Sequence, residues 1–495
     1  MADSFTKVEA IPPLCAKVRD SFNKGVTRPL SWRREQLKAM IRMVEENEER
    51  FHKAAKNDIG KPPMETDVGC LAIIKGDCKH HLEMLEEWAN PEFPAVPLLN
   101  AFDKAQIRKD PLGVVLVIGA WNYPFSLSLA PVAGAIAAGN AVILKPSELS
   151  LECALLMQEM VAKYLDSSAV EVVMGAAAET QELLKAKWDH IFYTGGTAVG
   201  KIIYQKAAEQ LCPVTLELGG KSPCLVDDDC DLTVAARRIT WGRFLNSGQT
   251  CIAPDYVLCS ENTSSKLAKE MEKAIQEFWG DDVQKSPDYG RIVNNRHWNR
   301  VARLIDEKKV IVGGKTDEND RYISPTIMNG CTPQDPVMQE EIFGPVLPIV
   351  HVNNLDEGVA FVNAGEKPLA LYVFTNNAKK AEHVLNVTSS GGACVNDCIM
   401  QAACPSLPFG GVGCSGFGAY HGKFSFDTFV HKKGTLFKDL SLEGVNAVRY
   451  PPYTSTKKTL LQTLTGDPPA PIAITKKVIG AIPWNLVGPI CASVL

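Results

Sequence analysis

The hydrophobic pattern changes character along the chain. Over the first ninety residues, Leu30, Trp32, Leu37, Met40, Ile41 and Val44 recur at mostly helical spacing among Arg, Lys and Glu, which predicts amphipathic helices. Gly60-Lys61-Pro62 interrupts that pattern. Pro91, Pro94, Pro97 and Asn100 then mark a loop or an extended connection. Beyond it the apolar positions become continuous. The runs 112–119, 141–145, 171–174 and 190–193 predict strands buried on both faces. Between the first two, 130–139 is small and apolar, suited to a closely packed helix. A second set of strands is predicted at 222–226 and 256–259, and a third alternation runs through 346–352, 370–374 and 393–395. Strands separated by helical stretches indicate parallel sheets covered on both faces, an α/β architecture.

The length of 495 residues fits two or three units with real cores. Apolar residues at 45%, charged residues at 22% and aromatics at 7% are globular values and exclude a disordered or fibrous chain. The formal charge of −5, with no basic stripe, argues against a nucleic-acid partner. The start, Met-Ala-Asp-Ser-Phe-Thr-Lys, has no apolar core and is not a secretory signal. Fifteen cysteines without a Cys-x-x-Cys pair make a zinc site or a disulfide framework unexpected, so no metal site is assigned. Most of the thiols are expected to pack as small apolar groups in a reducing compartment.

Five places carry candidate chemistry. Cys251 stands in Asn246-Ser-Gly-Gln-Thr-Cys-Ile-Ala-Pro-Asp255, where small and turn-forming residues can present a side chain and its own N–H to one point. A buried structural thiol is the common fate of a free cysteine, so a nucleophile needs an activating partner. None of the nine histidines stands in a comparable motif. Glu217 ends an apolar run just before Gly219 and Gly220. Burial would raise its pKa and suit it to general-base work, while an ion pair with Lys221 or an Arg is the bland alternative. Gly195, Gly196, Thr197 and Gly200 follow the strand 190–193 and open a helix, a weak phosphate-binding signal. Lys145 and Glu148 follow another strand end, where parallel sheets bind nucleotides, or form an ordinary solvated loop. Asn122, after the strand 112–119, is either a turn residue or an uncharged donor for an oxyanion.

Taken together these segments resemble the aldehyde dehydrogenase superfamily. Trp121-Asn-Tyr-Pro124, Lys145-Pro-Ser-Glu148, the 195–200 turn, Leu216-Glu-Leu-Gly-Gly-Lys221, Gly248-Gln-Thr-Cys-Ile-Ala-Pro254, Glu340-Glu-Ile-Phe-Gly-Pro345 and Pro408-Phe-Gly-Gly-Val-Gly413 occur in that family's order over about residues 8–455. The turn beginning Gly195-Gly196-Thr197, the run 418–429 and Arg449-Tyr-Pro-Pro-Tyr453 are similar to the class 3 and fatty aldehyde dehydrogenase branch. One departure is Gln401, where relatives often have His.

The resemblance implies a Rossmann-type cofactor domain at 1–90 and 108–218, an α/β catalytic domain at 219–411, a β bridging arm at 91–107 and 432–455, and a C-terminal extension at 456–495. It implies that Cys251 attacks an apolar aldehyde, medium- or long-chain aliphatic or aromatic. Asn122 and the Cys251 N–H hold the oxyanion, and Glu217 activates water. Lys145, Glu148, the glycine turn, Glu341 and Phe343 contact NAD or NADP, with no choice made between the two. A homodimer paired through the arm is implied as well. A CoA-acylating relative and a silent scaffold on the same fold are the alternatives. The 18 residues 478–495, beginning at Val478, carry no charge. They sit at the low edge of the ~17–25 that span a bilayer, and Pro483, Asn485 and Pro489 weaken a straight helix. Attachment to the endoplasmic reticulum or another intracellular membrane, with the enzyme facing the cytosol, is the expectation. A tail packed on the protein itself, in a cytoplasmic enzyme, is the alternative.

Overall fold

A computed structural model describes residues 4–101 and 103–466. The described chain divides into two compact units. The first comprises residues up to Ala89 together with Pro111–His431, and the second Asn90–Asp110 with the residues from Lys432 onward.

Two large sheets lie in the first unit. One has six strands in the order Gly416–Phe417, Val214–Glu217, His190–Thr194, Val114–Ile118, Ala141–Lys145 and Val170–Val172. All of its neighbours run parallel except Gly416–Phe417, which is antiparallel. The three central strands are buried at every position, as expected where both faces are covered. Helix Ser126–Ala138 has almost no polar side chain to place and is buried nearly throughout. It shares a core with the N-terminal helices Leu30–Glu45 and Ala72–Ala89, whose apolar residues at helical spacing supply Leu37, Met40, Val44 and Ile74.

The other sheet has seven strands in the order Gly392–Val395, Ala370–Phe374, Pro223–Val226, Tyr256–Cys259, Val346–His351, Thr326–Cys331 and Val310–Val312. Only the last pairing is antiparallel. The parallel strands, apart from Thr326–Cys331, are those whose apolar runs are legible in sequence. The added strands are short edges, half polar or half exposed, such as Val310–Val312.

The second unit contains a two-stranded sheet formed by Lys104–Pro111 and Val430–Phe437, strands that extend to its boundary with the first. It also carries helix Ser455–Leu464. Among the described residues no helix is long and apolar enough to cross a membrane. The uncharged segment 478–495 lies outside the described residues.

Candidate active site

Strand register sets out one wall of the site. Ile118 pairs with Lys145 on one side and Tyr193 on the other, and Thr194 pairs with Glu217. The C-terminal ends of four parallel strands therefore lie in a row, the place where open α/β sheets bind ligands. Lys145 is buried, and its Nζ donates to Glu148 at 3.0 Å. Glu148 in turn stands close enough to push up the pKa of Tyr193, though burial is the larger cause. The Tyr193 hydroxyl donates to the Gly196 carbonyl at 3.2 Å, and a Cβ on Gly195 would lie 2.3 Å from that hydroxyl. The Gly195 N–H donates to the Glu217 carbonyl at 3.0 Å. Gly196 caps helix Thr197–Glu209 without a side-chain partner, so no capping side chain satisfies its first N–H groups. That donor set suits an anionic phosphate.

Cys251 is held by a loop whose backbone leaves the helical region. Helix Leu232–Phe244 ends, and Asn246, Ser247 and Gly248 follow with φ of 54°, 52° and 72°. Glycine is required at the third position, because a Cβ there would lie 2.3 Å from the Gly344 carbonyl oxygen. The buried Gln249 pins the turn. Its amide donates to the Asn246 and Arg291 carbonyls at 3.0 and 2.9 Å, and its oxygen accepts the Val293 N–H at 3.0 Å. Beyond the thiol, the Ile252 carbonyl accepts the Tyr372 hydroxyl. Asp255 accepts Lys221 at 2.6 Å and Arg243 at 3.0 Å.

Three expected residues meet around this loop. Asn122 is buried and donates one amide N–H to the Gln249 carbonyl at 3.0 Å, and an amide carries two such donors. Glu217 is 3% exposed, and neither carboxyl oxygen has a hydrogen-bond partner. Lys221 pairs with Asp255 instead, so the ion-pair alternative for Glu217 does not occur. Burial alone drives the Glu217 carboxyl well above the usual carboxylate range. Burial also raises the Cys251 thiol, with Glu341 and Glu217 adding to the effect. Two negative charges beside a thiolate are unfavourable, so a protonated Glu217 and a neutral thiol form the consistent resting state.

Glu341 and Phe343 lie on the same side. Burial, with Asp255 as the second cause, pushes the Glu341 carboxyl up to about 8. A Cβ on Gly219 would lie 2.0 Å from its Oε2. Phe343 adopts φ of 46° and meets Trp121 edge to face at 5.3 Å between ring centroids. A cavity of about 200 Å³ opens beside Ile252, lined by Leu369, Ala393, Gln401, Leu407 and Phe409 among others. Its walls are mainly apolar. Gln401 is tied to the Tyr372 hydroxyl at 3.2 Å, so this departure from the family pattern sits in the cavity wall and not on the reacting groups.

The family profile described as "Aldehyde dehydrogenase family" matches residues 6–434. The chain belongs to the aldehyde dehydrogenase family. Within that family it is 52% identical over 442 residues to a mouse (Mus musculus) protein named "Aldehyde dehydrogenase, dimeric NADP-preferring", covering 89% of this chain and 98% of the relative. It is 51% identical to "Aldehyde dehydrogenase family 3 member A2" of Macaca fascicularis over 441 residues, covering 89% and 91%. Among solved aldehyde dehydrogenases, "Substrate bound state of Staphylococcus Aureus AldH" superposes with a TM-score of 0.89 at 42% identity, covering 92% of this chain and 99% of that one. The class 3 resemblance read from the motifs therefore extends over most of the chain.

Two residues of the site are not legible as functional in sequence. Lys61 reads only as part of a helix-breaking tripeptide, and Glu65 as one polar residue of a helix. Lys61 bonds the Asn122 loop, and Glu65 bonds Asn246 of the Cys251 loop.

Proposed function

We propose that this chain oxidises apolar, medium- to long-chain aldehydes to carboxylic acids with NAD or NADP, through Cys251. The observation that carries the reading is the unpartnered, buried Glu217 carboxyl close to a Cys251 thiol that lies on the Asn122-bound loop. In this reading the Cys251 thiol first gives its proton to solvent, and the thiolate sulfur then bonds to the aldehyde carbon as the carbonyl π pair moves to oxygen. The carbonyl oxygen becomes an oxyanion held by the free Asn122 N–H and the Cys251 backbone N–H. A bound nicotinamide cofactor would supply the hydride acceptor that takes the Cys251-linked carbon to the thioester level. Glu217 in its ionised form then takes a proton from water, whose oxygen displaces the Cys251 sulfur and releases the acid.

Lys145, Glu148 and the N-terminus of helix Thr197–Glu209 would hold the adenosine and pyrophosphate portions, and Glu341 and Phe343 the nicotinamide side. A close approach of backbone to phosphate fits the small residues of that turn. The relative named as NADP-preferring supports NADP as a cofactor, and its name also supports a homodimer here. The mainly apolar cavity beside Ile252 supports an apolar substrate.

Reduced cofactor formation is the test, measured with short, aromatic and long aliphatic aldehydes, with each coenzyme, and with and without CoA. CoA-independent acid formation is expected, strongest with long aliphatic aldehydes, and Cys251→Ser should lose nearly all of it. A purified Cys251→Ser protein that retains activity refutes the nucleophile assignment.

A further inference from the structure

The nucleophile Cys251 and the oxyanion donor Asn122 sit on two loops, 246–251 and 119–125. One direct bond, from the Asn122 amide to the Gln249 carbonyl at 3.0 Å, already joins these loops. A third segment touches both loops. Helix Glu48–Ile59 ends at Gly60, whose φ is 63° and whose Cβ position is blocked by Arg291. The chain turns there and sends Lys61 inward.

Lys61 has no exposed surface. Its Nζ donates to the backbone carbonyl of Asn122 at 2.9 Å and lies 3.6 Å from the centre of the Tyr123 ring. Four residues on, the Glu65 carboxylate accepts the backbone N–H of Asn246 at 3.0 Å. Asn246 is the first residue of the left-handed turn leading to Cys251. Its side-chain amide closes the circuit, donating to the Asn122 carbonyl at 2.9 Å and to the Gln249 carbonyl at 3.0 Å. The Tyr123 hydroxyl adds a bond to Thr250 Oγ1 at 2.7 Å. A buried ammonium is costly to keep unless carbonyl dipoles, an aromatic face and a counter-charge surround it. Here Asn122, Tyr123 and Glu65 supply these in turn.

We propose that Lys61 and Glu65 are positioning residues for the oxyanion site. Lys61 holds the Asn122 loop by its own carbonyl, and Glu65 holds the left-handed turn that carries Cys251, so the pair sets the amide-to-sulfur geometry. The proposal rests on Cys251 as nucleophile and on Asn122 as oxyanion donor.

The test compares two reactions at one thiol in the full-length protein. Iodoacetamide alkylates the sulfur without forming an oxyanion, whereas aldehyde oxidation requires one. Lys61→Met keeps the aliphatic stem and removes the ammonium, and Glu65→Ala removes the carboxylate. Each should lower kcat about 10-fold to 100-fold, the scale of an ångström-sized misplacement. KM for aldehyde, cofactor affinity and the alkylation rate of Cys251 should stay near wild type. Glu65→Gln, which keeps an acceptor for the Asn246 N–H, should recover most of the loss. In an Asn122→Ala background, Lys61→Met should cost little more, because the donor it positions is gone. A full additional loss in that background overturns the proposal, as does a parallel fall in alkylation. If Lys61→Met does not fold, the Glu65→Ala and Glu65→Gln pair decides by the same readouts. Failure of Cys251 to react with iodoacetamide in the wild-type protein would instead point to an error in the nucleophile assignment.

Discussion

At the scale of single residues, the most informative group is Glu217, a carboxyl 3% exposed with both oxygens unpartnered. Such a group keeps its proton far above the ordinary carboxylate range and becomes a strong base when it releases it. Deacylation should therefore rise with pH through an elevated Glu217 titration. Glu217→Gln should abolish that limb and slow turnover by about 100-fold or more, within the range typical of general bases. A pre-steady-state burst of reduced cofactor should survive in the variant, because acylation does not need the carboxylate to activate water. Stopped-flow measurement of the burst checks this, and unchanged steady-state hydrolysis would require another base. In sequence, Glu217 was visible as one charged residue closing an apolar run. The absence of any ion pair was not, because Lys221, four positions on, could have satisfied it. Only the fold shows that Lys221 turns to Asp255.

At the scale of elements, the glycine turn separates space from conformation. A Cβ on Gly195 would meet the Tyr193 hydroxyl at 2.3 Å, whereas one on Gly196 meets nothing within 4 Å. Gly196 has a φ of −72°, which any residue adopts. Gly195→Ala should displace the buried Tyr193 ring and cost about 1–3 kcal/mol of stability, the usual penalty for overpacking. Gly196→Ala should stay within about 0.5 kcal/mol of the parent, a contrast that urea denaturation measures. The buried parallel strands were legible because an apolar run between glycines has few other readings. The edge strands Gly416–Phe417 and Val310–Val312 were not, since edge pairing depends on a neighbour that the local pattern does not name. Helix Ala72–Ala89 carries a buried charge of a different kind. Asp77 is 5% exposed, its Oδ2 has no partner, and burial raises its pKa to about 7. Between about 4 and about 7 the unfolded chain releases a proton that the folded chain keeps. Stability from this group is therefore whole at low pH and is lost as pH rises through about 7. Asp77→Asn should raise the denaturation midpoint at neutral pH, leave it nearly unchanged near pH 4, and flatten the slope between.

At the scale of the whole molecule, two expectations bear on how the enzyme is deployed. The dimer expected from the relative's name should appear in light scattering at about twice the chain mass of 54.0 kDa. If the uncharged segment 478–495 attaches the protein to membranes, truncation after Ala470 should move it out of the floating fraction in a vesicle flotation assay. An unchanged membrane fraction rejects that role. The sequence by itself determined the α/β class, the order of the family's motifs and the identity of Cys251, Glu217 and Asn122 as candidates. Those features are local: apolar runs, glycine-bounded turns and short motifs are complete within a few residues. Tertiary structure alone decided that the ends of four strands fall in one row, that Glu217 lacks a partner, and that Lys61 and Glu65 reach the two catalytic loops. These depend on strand register and helix packing across more than a hundred residues. Whether a buried charge is paired or alone is a property of the surroundings, and no stretch of sequence contains its surroundings.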